Sequence, residues 1–503
     1  MPGLYTTTPS QMQGVYDNPG YPPDAGTLRV SPTRSSQITR DGSKIKVIHE
    51  HDSLTAAYEY SLAGNDIHIA ITLDNLDAAL PLTNIAIKLP AFQFKDDVNG
   101  NLKSWDLSYP LANPQNAFHP GTSSPLAVAY ARDSTYGVAM YCPSHFDKPT
   151  LFNAAHPPKT DGFPPTVADA TLFVKDIVPP GGSLKIDLTI RVTPQTDLPS
   201  LLASYIKDFE TFAGPMRYDP DDRPWLSFSS FDKSHITPDN PLGYNGPDRR
   251  FDLPGGITRF ERMVSPAVSV TQGTIFWEPQ GYDPRGNLYR PDFDVWPESV
   301  RANLPTLINW YHQHKLKFGL LARPIDVVTP DSAGGEKLTR LNWRDPSQVA
   351  ALLARFDHVI SLGVNAFYFD SMGTDLDSWQ TMRLIRAHLG PSIPTYSEMT
   401  NDLMLPYSGV YCQFPTGAKS NLAFTGNTLW YDAATLQIFR LLYPHSGILV
   451  TRLPGGGIHP RVKIEQLAAW HLTPMVEDSD SGAIVPYFRD LIDLHMSGGL
   501  WKN

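Results

Sequence analysis

Two hydrophobic rhythms divide this chain. From about residue 28 to residue 193, apolar and polar positions alternate with period two. Ile67, Ile69, Ile71 and Leu73 interleave with Asp66, His68, Ala70 and Thr72; Leu184, Ile186, Leu188, Ile190 and Val192 interleave with Lys185, Asp187, Thr189 and Arg191. Such alternation turns one face of a strand into a core. Further strands are expected at 45–49, 55–61, 83–89, 126–131, 136–142 and 171–177, with turn clusters such as Asn99-Gly100-Asn101 and Pro179-Pro180-Gly181-Gly182 between them. Many short strands with almost no helical period predict an N-terminal antiparallel β-sandwich. Leu198, Leu201, Leu202, Tyr205 and Phe209 then recur at three- and four-residue spacing and predict a linking helix. The polar, proline-rich stretch 214–224 follows and reads as the domain boundary, giving domains 1–213 and 214–503.

After Trp225 the pattern changes to short apolar runs alternating with helical stretches. The runs fall at 225–229, 274–278, 317–322, 364–370, 393–397, 409–414, 447–451 and 473–477. Helical periodicity marks 298–315, 346–361, 378–389, 431–442 and 461–471. Eight strand–helix units in a segment of this size predict a (β/α)8 TIM barrel. The rival is a doubly wound open sheet, which would carry a glycine-rich phosphate loop after its first strand. No such loop is present, and Gly455-Gly456-Gly457 lacks the following Lys-Ser or Lys-Thr of a phosphate loop; it reads as a mobile loop near the site.

Composition narrows the function. The 503 residues are 41% hydrophobic and 18% charged, as in a folded chain with large cores. A net charge of −10 without a basic, aromatic-interleaved patch argues against nucleic acid as a partner. The two cysteines, Cys142 and Cys412, lie in separate apolar runs and are expected to be buried free thiols; no metal-ligand spacing occurs and no metal or organic cofactor is expected. No apolar run approaches the roughly 18 residues of a membrane span. The first thirty residues lack the pattern of a signal peptide. Their polar, Pro- and Tyr-rich character favours a secreted or periplasmic protein whose leader is absent from this chain, with a cytoplasmic one as the alternative. The oligomeric state is not legible.

In a barrel of this kind the chemistry sits at the C-terminal ends of the strands. Nearly every one of those ends carries a polar, charged or aromatic group. The fourth run, Val364 to Gly373, contains Phe367-Tyr368-Phe369-Asp370; the fifth, Ile393 to Thr400, contains Tyr396-Ser397-Glu398. Asp370 and Glu398 are 398 − 370 = 28 residues apart, one strand–helix repeat. If their strands are neighbours, both carboxylates enter one cavity, the arrangement that cleaves a glycosidic bond. Glu278 and Glu477 are the rival acids; Glu278 follows Trp277, and an indole against a carboxyl would raise its pKa toward that of a general acid. Arg323 and Arg452 are placed to bind a sugar or to pair with the acids, or to form structural ion pairs at the rim. Trp277, Tyr282, Tyr368 and Tyr396 are candidates for stacking on sugar faces, with core packing as the alternative for each, and Gln413 ends the sixth strand as a further polar candidate.

The segments Gly363 to Gly373 and Tyr396 to Thr400 resemble retaining α-glycosidases built on this barrel. The α-amylase clan and the endo-α-N-acetylgalactosaminidase families place an aspartate nucleophile after strand 4 and a glutamate acid/base after strand 5. The α-galactosidase and α-glucosidase clan shares the strand-4 aspartate, with its acid on a later strand, and often has a β-sandwich ahead of the barrel. The resemblance implies that Asp370 is the nucleophile and Glu398 the acid/base. Tyr368 stands where amylases have an arginine, and Thr451-Arg452-Leu453 replaces their His-Asp pair, so the likeness is to a divergent glycosidase family. The expected substrate is an oligo- or polysaccharide, with α-linkage implied by the resemblance. A non-catalytic carbohydrate-binding barrel, and a transglycosidase or isomerase using the same acids, are the alternatives.

Overall fold

The computed structural model describes residues 4–6, 29–30, 33–82, 85–88, 92–93, 123–124, 126–130, 137–146, 150–155, 167–174, 176–194, 198–213, 223–229, 233–244, 250–269, 271–277, 296–330, 332, 336–370, 372, 376–397, 404, 407–413, 448–453 and 473–478. The two alternating runs lie side by side, as Asp66–Asn75 and Ser183–Thr193, with Leu73 opposite Leu184, Ile71 opposite Ile186 and Ile69 opposite Leu188. They are the centre of a seven-stranded antiparallel sheet in the order Leu126–Tyr130, Gly137–Tyr141, Ser183–Thr193, Asp66–Asn75, Leu54–Ala63, Lys44–Glu50, Ser35–Asp41. A second sheet contains Leu4–Thr6, Ile85–Lys88, Val167–Val174 and Thr150–Ala155. Among the described residues it departs from the antiparallel expectation where Thr150–Ala155 pairs in parallel with Ser123–Ser124. Ile71, Leu73, Ile186 and Leu188 of the first sheet and Ile87 and Leu172 of the second share one core, so the inner faces meet as a sandwich.

The helix Leu198–Ala213 follows, with Leu201, Leu202, Tyr205 and Phe209 buried as its spacing requires. Arg191 ties it to the first sheet: its Nε donates to the Ser200 carbonyl (2.7 Å), and Nη1 to Asp66 Oδ1 and Ser204 Oγ (2.9 Å each). Phe212 stacks on Trp379 at 6.1 Å, with 29° between the ring planes. One hydrophobic cluster therefore runs from Tyr141 and Phe146 through this helix to the residues that back the second set of strands.

That second set is a closed ring of eight parallel strands. In order they are Trp225–Ser229, Gly273–Trp277, Lys317–Ala322, Ala366–Phe369, Thr395–Ser397, Gly409–Gln413, Ile448–Leu453 and Thr473–Asp478, called barrel strands 1 to 8 below. Strand 8 pairs with strand 1, Met475 beside Trp225, which closes the ring. Each strand falls on one of the eight apolar runs. Helices Glu298–Gln313, Pro346–Ser361 and Leu376–Leu389 separate strands 2, 3, 4 and 5 as anticipated. The helix Pro254–Val264, between strands 1 and 2, was not anticipated, nor was the hairpin of Asp326–Pro330 with Glu336–Arg340 that leaves strand 3. The expected helices at 431–442 and 461–471, and the glycine run at 455–457, lie outside the described residues. Trp225, Ile275, Leu321, Tyr368, Tyr396 and Met475 fill the interior of the ring, while Phe276, Phe318, Phe367 and Phe369 face the helices. Cys142 is a buried free thiol, and burial raises its pKa; the side chain of Cys412 lies outside the described residues.

Candidate active site

Period two decides which side chains reach the mouth of the ring. On barrel strand 4, Ala366 and Tyr368 point inward and Phe367 and Phe369 outward. Asp370, the next residue, therefore continues the inward row. Its backbone N–H donates to the Ala322 carbonyl at 2.9 Å, extending the pairing between strands 3 and 4 by one step. On strand 3, Leu321 points inward, and Arg323, two positions on, belongs to the same row.

These two rows meet. Arg323 Nε lies 3.7 Å from Asp370 Oδ2 and 3.1 Å from Asp326 Oδ2. The side chains are partly withdrawn from solvent, 25% exposed for Arg323 and 17% for each aspartate. A guanidinium between two half-buried carboxylates keeps charge at the mouth of the ring that an apolar interior would otherwise disfavour. Arg323 thus lies within ion-pair distance of both Asp370 and Asp326. Asp326 was given no role from the sequence. Its signal was the Arg-x-x-Asp spacing just past a strand end, which has no period to mark it.

An aromatic layer lies under the charges. Trp277, the last residue of strand 2, is half-buried and stacks on Tyr368, with centroids 4.8 Å apart and 24° between the planes. Tyr368 is wholly buried, so of its two expected readings core packing holds rather than a sugar platform, and it braces Trp277 from within the ring. Core packing holds for Tyr396 too. It is 6% exposed, and its hydroxyl accepts from Trp225 Nε1 at 3.1 Å. Of the aromatic candidates whose side chains are described, Trp277 is the one that is half-buried rather than buried.

Several candidates are placed through their backbone alone. Gln413 ends strand 6 beside Thr451 of strand 7, Arg452 follows Thr451 on strand 7, and Glu477 lies on strand 8 beside Ser227 of strand 1. Glu278, Tyr282 and Glu398 lie outside the described residues. Strands 4 and 5 are paired in register, Tyr368 beside Tyr396 and Phe369 beside Ser397. Among the described residues no group of three or more His, Cys, Asp or Glu side chains is arranged to hold a metal ion.

No protein-family model and no curated protein matches the chain. Solved structures do. The α-N-acetylgalactosaminidase NagBb from Bifidobacterium bifidum, in its GalNAc complex, superposes with a TM-score of 0.58 at 12% identity, covering 98% of this chain and 87% of that one. The same enzyme in its Gal-NHAc-DNJ complex gives 0.58 and 12%, covering 99% of this chain and 88% of that one. The GH36 α-galactosidase AgaA from Geobacillus stearothermophilus, bound to 1-deoxygalactonojirimycin, gives a lower TM-score of 0.48 at 10% identity, covering 98% of this chain and 73% of that one. At these identities the likeness to NagBb is one of fold.

Proposed function

We propose that this chain is a glycoside hydrolase that cleaves α-linked sugars from an oligo- or polysaccharide by a two-carboxylate retaining mechanism. The observation that carries the reading is the register of barrel strands 4 and 5. Phe369 pairs with Ser397, and the next residue in sequence on each strand is an acid, Asp370 and Glu398. Neighbouring strands are about 4.8 Å apart, close to the roughly 5–5.5 Å that separates the two carboxyl groups of a retaining glycosidase. Inverting enzymes need about 6.5–9.5 Å, room for a water, so placement on adjacent strands favours retention. The fold shared with NagBb, named for its action on α-N-acetylgalactosamine, supports the substrate class. The complete (β/α)8 barrel, with its boundary near residue 214, is part of this reading.

The steps follow from the two positions. A carboxylate oxygen of Asp370 attacks the anomeric carbon as Glu398 gives its proton to the departing glycosidic oxygen. The C–O bond to the aglycone breaks and an ester to Asp370 forms. Glu398, now a carboxylate, takes a proton from water, and that water displaces Asp370 from the same carbon. Two inversions leave the anomeric configuration unchanged. Trp277 supplies an apolar face for the sugar ring. Gln413, Arg452 and Glu477, on strands 6 to 8, are the candidates for contacts with its hydroxyls; Glu278 and Tyr282, which follow strand 2 in sequence, are further candidates for such contacts.

A panel of aryl α- and β-glycosides, with NMR of the first-formed anomer, tests the reading. The expected result is turnover of an α-glycoside with retention. Asp370→Asn should lower it by about 10³-fold or more while sugar binding persists. Glu398→Gln should be harmful with poor leaving groups and mild with nitrophenolate, which departs without a proton. An inverted product, or an Asp370→Asn variant that turns over at the parent rate, refutes the mechanism. Binding without turnover across the panel in the parent protein would instead favour a carbohydrate-binding barrel.

A further inference from the structure

We infer that Asp326 is a positioning residue for this reaction, acting on Asp370 through Arg323. The inference rests on the reading of Asp370 as the nucleophile. The three side chains form a row in which the middle member is nearer the outer carboxylate: Arg323 Nε is 3.1 Å from Asp326 Oδ2 and 3.7 Å from Asp370 Oδ2. The first separation is a close ion pair and the second a looser one, still short enough for attraction. Among the described contacts, Asp326 therefore holds the guanidinium closer than Asp370 does.

That spacing suits a nucleophile. A carboxylate locked in a tight, direct pair with arginine is stabilised in the ground state, and every part of that stabilisation lost on attack is added to the barrier. A carboxylate with no cation nearby lacks both orientation and help in leaving as the ester breaks. Held at 3.7 Å from Oδ2, the guanidinium gives direction without that tight pairing.

The backbone at Asp326 is built to hold its side chain still. Its N–H donates to the Arg323 carbonyl at 3.3 Å, closing the turn that separates the two residues. Its own carbonyl accepts from Arg355 Nη2 at 3.3 Å, from the helix Pro346–Ser361. It is also the first residue of the hairpin, paired with Arg340. Ile325 and Val327 on either side are buried. The hairpin that leaves strand 3 thus reaches the chemistry through one carboxylate at its root.

The test uses the full chain and the aryl α-glycoside whose turnover depends on Asp370. Asp326→Asn keeps the shape and removes the charge, so Arg323 should close on Asp370. The expected result is a kcat lower by about 10–100-fold with KM within about threefold, the range typical of a group that orients another. Asp326→Glu should restore part of that loss. In an Arg323→Met background, Asp326→Asn should cost less than about twofold more, because the intermediary is already gone. A purely structural role would instead give two independent losses that multiply. Should Asp326→Asn fail to fold, Arg323→Lys examines the same contact, since lysine keeps the charge without the shared Nε; it should also lower kcat about 10–100-fold with KM held. Parent kcat in the variant that folds, or full multiplication in the double variant, overturns the inference while Asp370→Asn stays inactive. Parent turnover in Asp370→Asn removes the proposed mechanism itself, and the two failures are thereby distinguished.

Discussion

Tyr311 and Thr274 give the sharpest test of how the ring is held to its helices. Tyr311 lies on the helix Glu298–Gln313 and Thr274 on the outward face of barrel strand 2, and the phenol donates to Thr274 Oγ1 at 2.6 Å. Both side chains are fully buried, amid Phe276 and Phe318. Burial pushes the phenol well above its ordinary pKa, against a smaller opposite effect of the bond to Thr274, so it is the neutral hydroxyl that takes part. Tyr311→Phe leaves the threonine hydroxyl without this partner, and Thr274→Val does the same to the phenol. A buried polar group stranded in this way costs about 1–3 kcal/mol. For a folded unit of some 150–250 residues, each kcal/mol lowers the melting temperature by about 2–4 °C. Each single variant should therefore melt several degrees lower. The double variant replaces both partners by apolar groups of like shape, and should lie closer to the parent than either single one does. Thermal melts followed by far-ultraviolet circular dichroism and tryptophan fluorescence, with urea midpoints, give the coupling energy, expected at about 1–3 kcal/mol. Losses that simply add in the double variant would show that the 2.6 Å contact does not join strand and helix energetically.

Two further predictions concern the helices behind strands 2 to 4. Gly363 precedes strand 4 with φ of +108°, and an added Cβ would lie 2.6 Å from Ile308 Cγ2 and 2.8 Å from His312 Cε1. Gly363→Ala should cost about 2 kcal/mol or more from backbone strain and overlap together, and a urea midpoint equal to the parent's would contradict this. Asp345 caps the helix Pro346–Ser361, accepting from Ser347 Oγ at 2.7 Å and from the Ser347 and Gln348 backbone N–H groups at 2.9 and 3.4 Å. The hydrogen bond from the Ser347 side chain, then that from its backbone, holds the Asp345 carboxyl below its usual pKa. A depressed folded-state pKa gives stability that is fully present above the unfolded value, near 3.9, and lost as pH falls through the folded one. The melting gap between parent and Asp345→Ala should accordingly be full at pH 7 and close at strongly acidic pH; a gap independent of pH refutes the cap's ionic character.

What could be read from sequence followed burial. The runs of Asp66–Asn75 and Ser183–Thr193 announced themselves because each packs one face in the sandwich, and barrel runs such as Gly273–Trp277, Lys317–Ala322 and Ala366–Phe369 because both faces of each are covered. Ser35–Asp41 escaped notice because it is an edge strand whose seven residues are almost all exposed, leaving no alternation to see. The helix Pro254–Val264 was hidden by its start, Pro254-Gly255-Gly256, which reads as a turn; Gly256 is needed there because a Cβ would lie 1.9 Å from the Arg250 carbonyl oxygen. That Asp370 stands just past a strand end was legible from the apolar run before it. Its link to Asp326 was not, since the link depends on how the Arg323 side chain crosses between strands, a matter of geometry rather than period. For Tyr368 and Tyr396 both the place on the strands and the packing reading were legible, because each sits inside an apolar run that the ring encloses.

The cluster that joins Tyr141 and Phe146 to Trp379 by way of the helix Leu198–Ala213 bears on how such a protein can change over time. A greasy seam of this kind ties the fates of the sheets and the ring: neither can be exchanged for a stranger without leaving a raw aromatic surface on the other. Lineages carrying this ring should therefore retain a matching sandwich even where its own loops have drifted beyond recognition.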